Sequence, residues 1–336
     1  MNIAMWGRAL RIIPRIEKDE WDRLDFVSKW LIATRAAVLI MTFISAAIAG
    51  VLAFRDGGFH LGRWLLLAVG LVMAHALNNL LNDLTDTRKG VDKDNYFRTQ
   101  YGSQPLEQGL WTERQLLKYA AATGLIALVC GLVLTTLQGW PVLLLLGMGA
   151  FFVLFYTWPL KYIGLGELAV VIVWGPLMIG GGYYVLTGAW DWNVVIVSLA
   201  YALGPTTVIF GKHIDKYEAD KAKGIHTLPV LIGERAARAV ALGMFALQYL
   251  LVIALVVLGY FTPVMLVVLL ALTAMPRVWS MFRRPRPREM PEGYLPEIWP
   301  TYFAAISFFH NRRFGLLFIL GLLIDSALHV RMAYGL

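Results

Sequence analysis

Trp64-Leu-Leu-Leu-Ala-Val-Gly-Leu-Val-Met-Ala-His-Ala-Leu-Asn78-Asn79-Leu-Leu-Asn82-Asp83-Leu-Thr-Asp86 is apolar for fourteen residues and then turns to amides and acids without a break in helical pattern. A run of this length and hydropathy is read as a membrane span over 64–84. Carboxylates at the end of such a span are costly unless they are paired, hydrated or bound to a cation. The same event recurs about 130 residues later, where an apolar run ends in Asp215-Lys216-Tyr217-Glu218-Ala219-Asp220. Two acidic clusters that each close a span predict a shared divalent-metal site able to hold a polyanion such as a diphosphate.

The surrounding chain supports a membrane setting. Of its 336 residues, 58% are hydrophobic and only 15% charged, and the mean hydropathy is +0.62. Soluble proteins carry about 25% charged residues. The expected fold is all-α and polytopic, with nine spans: 31–54, 64–84, 114–137, 140–160, 165–187, 191–212, 236–258, 261–280 and 312–332. Residues 1–30 are expected to form an amphipathic interfacial segment kinked at Pro14, and 31–336 the transmembrane domain. The piece 298–309 is too short to span and is expected to lie at the interface before the last helix. The single cysteine, Cys130, lies in an apolar run and excludes an internal disulfide.

A net charge of +8 raises the question of nucleic acid, but the distribution of the charge answers it. With the N-terminus inside, 25 of the 30 Lys and Arg residues fall in segments on one side, and only Arg55, Arg63 and Arg331 on the other. That asymmetry predicts a cell-membrane protein with both acidic clusters cytoplasmic and the C-terminus outside. No nucleic-acid partner is implied.

Within the first cluster, Asp83 and Asp86 are three apart and share a helix face. Asn79 and Asn82 are placed to add neutral oxygen ligands. Oxygen donors without Cys or paired His suit Mg²⁺. In the second cluster, Asp215 and Glu218 share a face, whereas Asp220 is five residues from Asp215 and points elsewhere on a regular helix. Two arrangements are open there. The helix ends near Asp215, letting Asp215 and Asp220 converge across a loosened segment, or it continues and only Asp215 and Glu218 face the site. Candidate phosphate contacts are Arg98, after the first cluster, and Lys161, the one cation of the short Tyr156-to-Lys161 loop. Arg35, inside the start of the first span, and Lys212 join them, and Tyr156 is a further substrate-binding candidate. His213 and His226 read as loop residues.

The stretch Asn82-Asp83-Leu-Thr-Asp86-Thr-Arg-Lys89-Gly90-Val-Asp92 resembles the first aspartate-rich motif of the UbiA superfamily of intramembrane prenyltransferases. Its Lys-Gly-x-Asp ending resembles the MenA-like branch, which prenylates 1,4-dihydroxy-2-naphthoate in menaquinone synthesis. Gly164-Leu-Gly-Glu167 through Trp174-Gly175-Pro176-Leu177, and Tyr183-Tyr184-Val-Leu-Thr-Gly188, are similar to that branch as well. Asp220-Lys-Ala-Lys-Gly224-Ile-His-Thr227 resembles the tail of the second motif, although the five-residue gap from Asp215 exceeds the usual four. The resemblance implies an all-helical fold with nine spans around a central cavity, a Mg²⁺-bound polyprenyl diphosphate, an aromatic acceptor, and Asp83, Asp86, Asp215 and Asp220 as metal-site and catalytic residues. Alternatives are the same chemistry with another acceptor, a cyclase acting on a prenyl diphosphate, or a cation-coupled transporter. The last is disfavoured because the acids cluster at one membrane face and no inverted repeat is evident.

Overall fold

The computed structural model describes residues 2–91, 102–296 and 298–333, which are helical with no strand among them. Nine long helices run in order: α1 (Ala36–Arg55), α2 (Leu61–Arg88), α3 (Glu113–Gln138), α4 (Trp140–Phe155), α5 (Gly166–Thr187), α6 (Trp192–Asp215), α7 (Glu234–Val257), α8 (Pro263–Phe282) and α9 (Phe303–Ala333). All but α4 are long and apolar enough to cross a bilayer, and α4 is an apolar helix of 16 residues. Their ends follow local chemistry. Thr112 and Gln115 form a reciprocal cap at the start of α3, and the Asp191 carboxylate accepts from the Asn193 N–H at the start of α6. Gly139, at φ 86°, is the only residue between α3 and α4, so these two helices are tight neighbours.

Burial separates the inner helices from the outer. In α6 and α1, 72% and 67% of the apolar window is buried, against 22% in α3. Tyr201 of α6 is fully buried and donates its hydroxyl to the Met41 carbonyl of α1 at 2.9 Å. The outer faces keep their apolar residues, as with Leu143, Leu144, Met148, Phe151 and Leu154 of α4. An apolar outer face against lipid and an apolar inner face against protein explain why these helices show so little amphipathic periodicity.

Two boundaries depart from the hydropathy reading. The first span is broken: a short helix, Phe26–Ala33, precedes α1, and Arg35 between them adopts the left-handed conformation (φ 55°, ψ 52°). The last helix begins nine residues earlier than expected, so Phe303–Phe309 is the first part of α9 and not a separate interfacial piece. Exposed Arg312 and Arg313 interrupt the apolar run in sequence without interrupting the helix. Its start is held from α6. The Asp215 carboxylate accepts the backbone N–H groups of Tyr302, Phe303 and Ala304 at 2.9, 2.9 and 3.0 Å. This satisfies N–H groups that a helix N-terminus leaves without intrahelical partners. One turn earlier, Gly211 lets the two backbones meet, since a Cβ there would lie 2.6 Å from the Phe303 carbonyl carbon. Phe303 then packs with Phe210, Phe245 and Phe282.

Residues 1–30 share a core with the helical body. Trp21 is buried, edge-on to Trp111 at 5.2 Å, in a cluster that includes Leu31, Ala76, Leu80, Leu84 and Leu116. Asp25 ties the segment together, accepting from the Asn2 N–H (2.6 Å), the Trp6 indole (3.2 Å) and the Ser28 N–H (2.9 Å). The Ser28 bond above all holds this carboxyl below the usual carboxylate range, so it stays ionised at neutral pH.

The close approach at Gly211 predicts that Gly211→Ala drives the start of α9 off α6. Overpacking of this kind costs about 1–3 kcal/mol, read as a lower thermal midpoint in detergent. An unchanged midpoint would mean that the contact is loose.

Candidate active site

The first acidic cluster occupies the last turns of α2. Asn79, Asn82, Asp83 and Asp86 lie at i, i+3, i+4 and i+7, a single stripe, and all four are buried. Three of them are tied to elements distant in sequence. Asn79 donates from Nδ2 to the carbonyl of Thr34 at 2.8 Å. Thr34 ends the short helix before α1 and immediately precedes Arg35, which places an Arg35 guanidinium nitrogen 3.8 Å from Asp83 Oδ1. A non-glycine residue in the left-handed region costs roughly 1–2 kcal/mol; here the conformation turns a cation toward a buried acid. Asp86 receives both bonds of Lys161 Nζ, at 2.8 and 3.0 Å. Lys161 is itself buried and sits on the short turn Leu160–Ile163 between α4 and α5, with its N–H on the Tyr156 carbonyl.

The second cluster divides. The helix does end at Asp215, and after Lys216 a short helix, Tyr217–Ala222, follows. Asp220 is buried and pairs with Lys216 Nζ at 3.0 Å. Glu218 is exposed. Asp215 is also buried, but its oxygens are engaged by the start of α9, with the Arg286 guanidinium 3.7 Å away. The structure therefore sets Asp220 in the interior, gives Asp215 a helix-capping task and leaves Glu218 at the surface. The two clusters meet through Lys223, which donates to the carbonyls of Gly90, at 3.3 Å, and Val91 just beyond α2. Arg98, with Asp92 and Asp94, lies outside the described residues. Among the described residues no three acidic, His or Cys side chains converge as a preformed metal cage.

A buried pair escaped the sequence reading. His213 is on α6, not in a loop, and its Nδ1 is 2.5 Å from Glu167 at the start of α5. The other Glu167 oxygen accepts the Leu228 N–H at 3.4 Å. The partners are 46 residues apart and follow no short spacing, so only the packing of α5 on α6 joins them.

A cavity of about 340 Å³ opens from the α2 stripe between α2, α3, α4 and α5. Arg35, Asn78, Asn79, Asn82, Tyr156 and Lys212 line it, together with an apolar wall that includes Leu66, Leu71, Leu128, Leu146 and Leu177. His75, bonded to Thr42 at 2.7 Å and edge-on to Trp174 at 5.2 Å, borders the apolar part. Trp174 is presented by a break in α5, where Gly175 leaves helical geometry (φ −95°, ψ −105°) ahead of Pro176. Broken helices in membranes occur where they border a cavity or are buried in protein. An apolar chamber that ends in amides and cations suits a long apolar ligand with an anionic head.

The chain belongs to the UbiA prenyltransferase family, whose sequence profile matches residues 42–299. It is 28% identical over 218 residues to the 1,4-dihydroxy-2-naphthoate octaprenyltransferase of Escherichia coli, covering 62% of this chain and 70% of that one. With the Bacillus subtilis enzyme of the same name it shares 24% over 298 residues, covering 87% and 91%. A Synechocystis 2-carboxy-1,4-naphthoquinone phytyltransferase is 27% identical over 61% of this chain; the match spans 66% of that protein's length. Among solved structures, the apo UbiA homolog of Aeropyrum pernix superposes with a TM-score of 0.64 at 20% identity, over 85% of this chain and 97% of that one. An Archaeoglobus fulgidus homolog bound to DMAPP and Mg²⁺ superposes at 0.54 with 16% identity, over 86% and 99%. The protein is thus an intramembrane helical protein of a prenyltransferase family, with the fold of these homologs.

The Lys161–Asp86 pair yields a double-mutant test. Lys161→Met removes an ammonium that compensates the buried Asp86 carboxylate, at up to about 3–5 kcal/mol of stability. Lys161→Met with Asp86→Asn removes both charges and should recover much of that loss. Thermal unfolding in detergent reads the cycle; additive losses would show that the two charges are not coupled.

Proposed function

We propose that this protein transfers a polyprenyl group from its diphosphate to an aromatic acceptor, and that the acceptor is 1,4-dihydroxy-2-naphthoate, in menaquinone synthesis. The observation that carries the proposal is the buried stripe of Asn79, Asn82, Asp83 and Asp86, whose amides line the polar end of an apolar cavity with Arg35 and Lys212 and whose acids meet Arg35 and Lys161. The naphthoate enzymes of Escherichia coli and Bacillus subtilis, similar along much of the chain, support the choice of acceptor.

The donor set of the stripe is all oxygen and fits Mg²⁺. Asn82, Asp83 and Asp86 would hold it together with Asp220 from the facing segment, while Asp215 and Glu218 drop out of the ligand set for the reasons given above. When bound, Mg²⁺ supplies positive charge that offsets the charge of the diphosphate. Arg35, Lys161 and Lys212 donate to phosphate oxygens, so the protein also stabilises charge building on the leaving group. The allylic C–O bond breaks with its electron pair going to the diphosphate, and a ring carbon of the acceptor forms the new C–C bond. That carbon regains aromaticity by releasing a proton or, where it carries the carboxylate, carbon dioxide, the electron pair of the broken bond returning to the ring. Leucine-rich walls keep water from the allylic cation. Asn78 and Tyr156 border the space between the two substrates and orient the acceptor.

The Lys/Arg-rich side, with both acidic clusters, would face the cytoplasm, and the C-terminus the opposite compartment. Lys89 and Lys221 are exposed on that side. Cysteines introduced there in a Cys130→Ser background should react with an impermeant maleimide only after the cells are permeabilised. Labelling in intact cells would reverse the orientation.

Purified protein given a panel of prenyl diphosphates and aromatic acceptors should yield prenylated naphthoate by mass spectrometry, cease on chelation and resume with Mg²⁺. Asp83→Asn and Asp86→Asn should each lower the rate by at least about 100-fold. Turnover in excess chelator, or wild-type rates in both variants, would refute this reading.

A further inference from the structure

The end of α6 presents two faces with different partners. Gly211 and Asp215, four apart, share the face that meets the start of α9. One residue on, about 100° around the helix, Lys212 lines the cavity, and Lys216, the residue that caps the end of α6, follows four residues later. Lys216 is 6% exposed, an unusual depth for a lysine, and its ammonium is 3.0 Å from Asp220. Lys223, bonded to the carbonyls of Gly90 and Val91, holds this turn against the end of the first cluster.

We infer that α6 contributes a cation, Lys216, to the polar end of the cavity, where it contacts the diphosphate of the prenyl donor, and that Asp220 is the only carboxylate this segment supplies to the metal site. The inference rests on the proposed function. Its physical basis is the conservation of buried charge. A buried ion pair is strongly destabilised when one partner is removed. With a metal–diphosphate bound, Asp220 would be free to hold the metal and Lys216 would donate to a phosphate oxygen, for which its compact, rotatable ammonium is suited. Each charge is compensated before and after binding. Asp215 cannot join without giving up the three N–H groups that start α9.

Binding of a non-hydrolysable prenyl thiolodiphosphate, titrated by calorimetry at fixed Mg²⁺ and again across a Mg²⁺ series, tests this without turnover. Lys216→Met should weaken binding of the analogue about 10-fold or more at saturating Mg²⁺, the equivalent of 1.4 kcal/mol. Lys216→Gln, which can still hydrogen-bond Asp220, serves if the Met variant fails to fold. Exposed Lys221, changed to Met, should bind as the wild type does. Lys216→Asp should need more Mg²⁺ for half-maximal binding, because the added carboxylate requires its own counter-charge. Wild-type affinity in Lys216→Gln would overturn the inference, as would a Mg²⁺ midpoint shifted as far in Asp215→Asn as in Asp220→Asn. If the wild-type protein binds no analogue at any Mg²⁺ concentration, the proposed function itself falls.

Discussion

Charge buried at the end of α2 constrains everything near it. Asp83 and Asp86 are nearly inaccessible in a chain that is otherwise among lipid and leucine, and carboxylates in that setting demand compensation. Compensation comes from elements far apart in sequence. Arg35 comes from the break before α1, and Lys161 from the turn between α4 and α5. The left-handed backbone at Arg35, the Asn79 bond to Thr34 and the burial of Lys161 follow from that one demand. Such an arrangement is weak evidence for stability, since apolar replacements of buried pairs are often neutral or better. Its retention in a leucine-rich bundle is better explained by chemistry, because cations resting on acids are already placed to receive an anion that arrives with a metal.

The second cluster illustrates why spacing alone does not assign ligands. Asp215 and Asp220 both end up buried, yet their environments are opposite. Asp215 is a capping acid whose negative charge sits against the N-terminus of α9, the end of a helix that favours an anion. Asp220 is paired with an ammonium beside the first cluster. What decides between them is the partner of each helix face: Gly211 admits the α9 backbone on one side, and Lys212 opens onto the cavity on the other.

This sets the boundary of what was legible in the sequence. The all-helical bundle, the approximate positions of its nine helices and the stripe from Asn79 to Asp86 could be read from hydropathy and spacing, because they depend on residues close together in the chain, whereas the same spacing left open whether the helix ends at Asp215. The start of α9 could not, since hydropathy windows stop at Arg312 and Arg313 whereas the helix is initiated by a carboxylate 87 residues earlier. The Glu167–His213 pair and the capping task of Asp215 were hidden for the same reason: each depends on which helices pack together. Lys161 beside Asp86 was found as a phosphate candidate from its isolation in a short loop, but its carboxylate partner is a tertiary fact.

The remaining constraint is water. An allylic cation survives only where nucleophilic solvent is excluded, while a diphosphate and a metal need polar surroundings, so the two halves of such a reaction ask for opposite solvents. The geometry separates them along one axis. The amides and acids of α2 all lie in its last three turns, from Asn78 to Asp86, and the preceding turns offer Leu66 and Leu71 to the cavity. On the opposing wall, the break at Gly175 turns Trp174 against His75, and Ser45 donates to the carbonyl of Trp174 at 3.4 Å. An unbroken α5 would have left no backbone irregularity to partner there, but it would also have fixed Val173, Trp174 and Leu177 on a regular spiral. The break sets Trp174 edge-on to His75 in the lining of the apolar chamber, where in the proposed reaction its ring would offer a π-face to a developing cation.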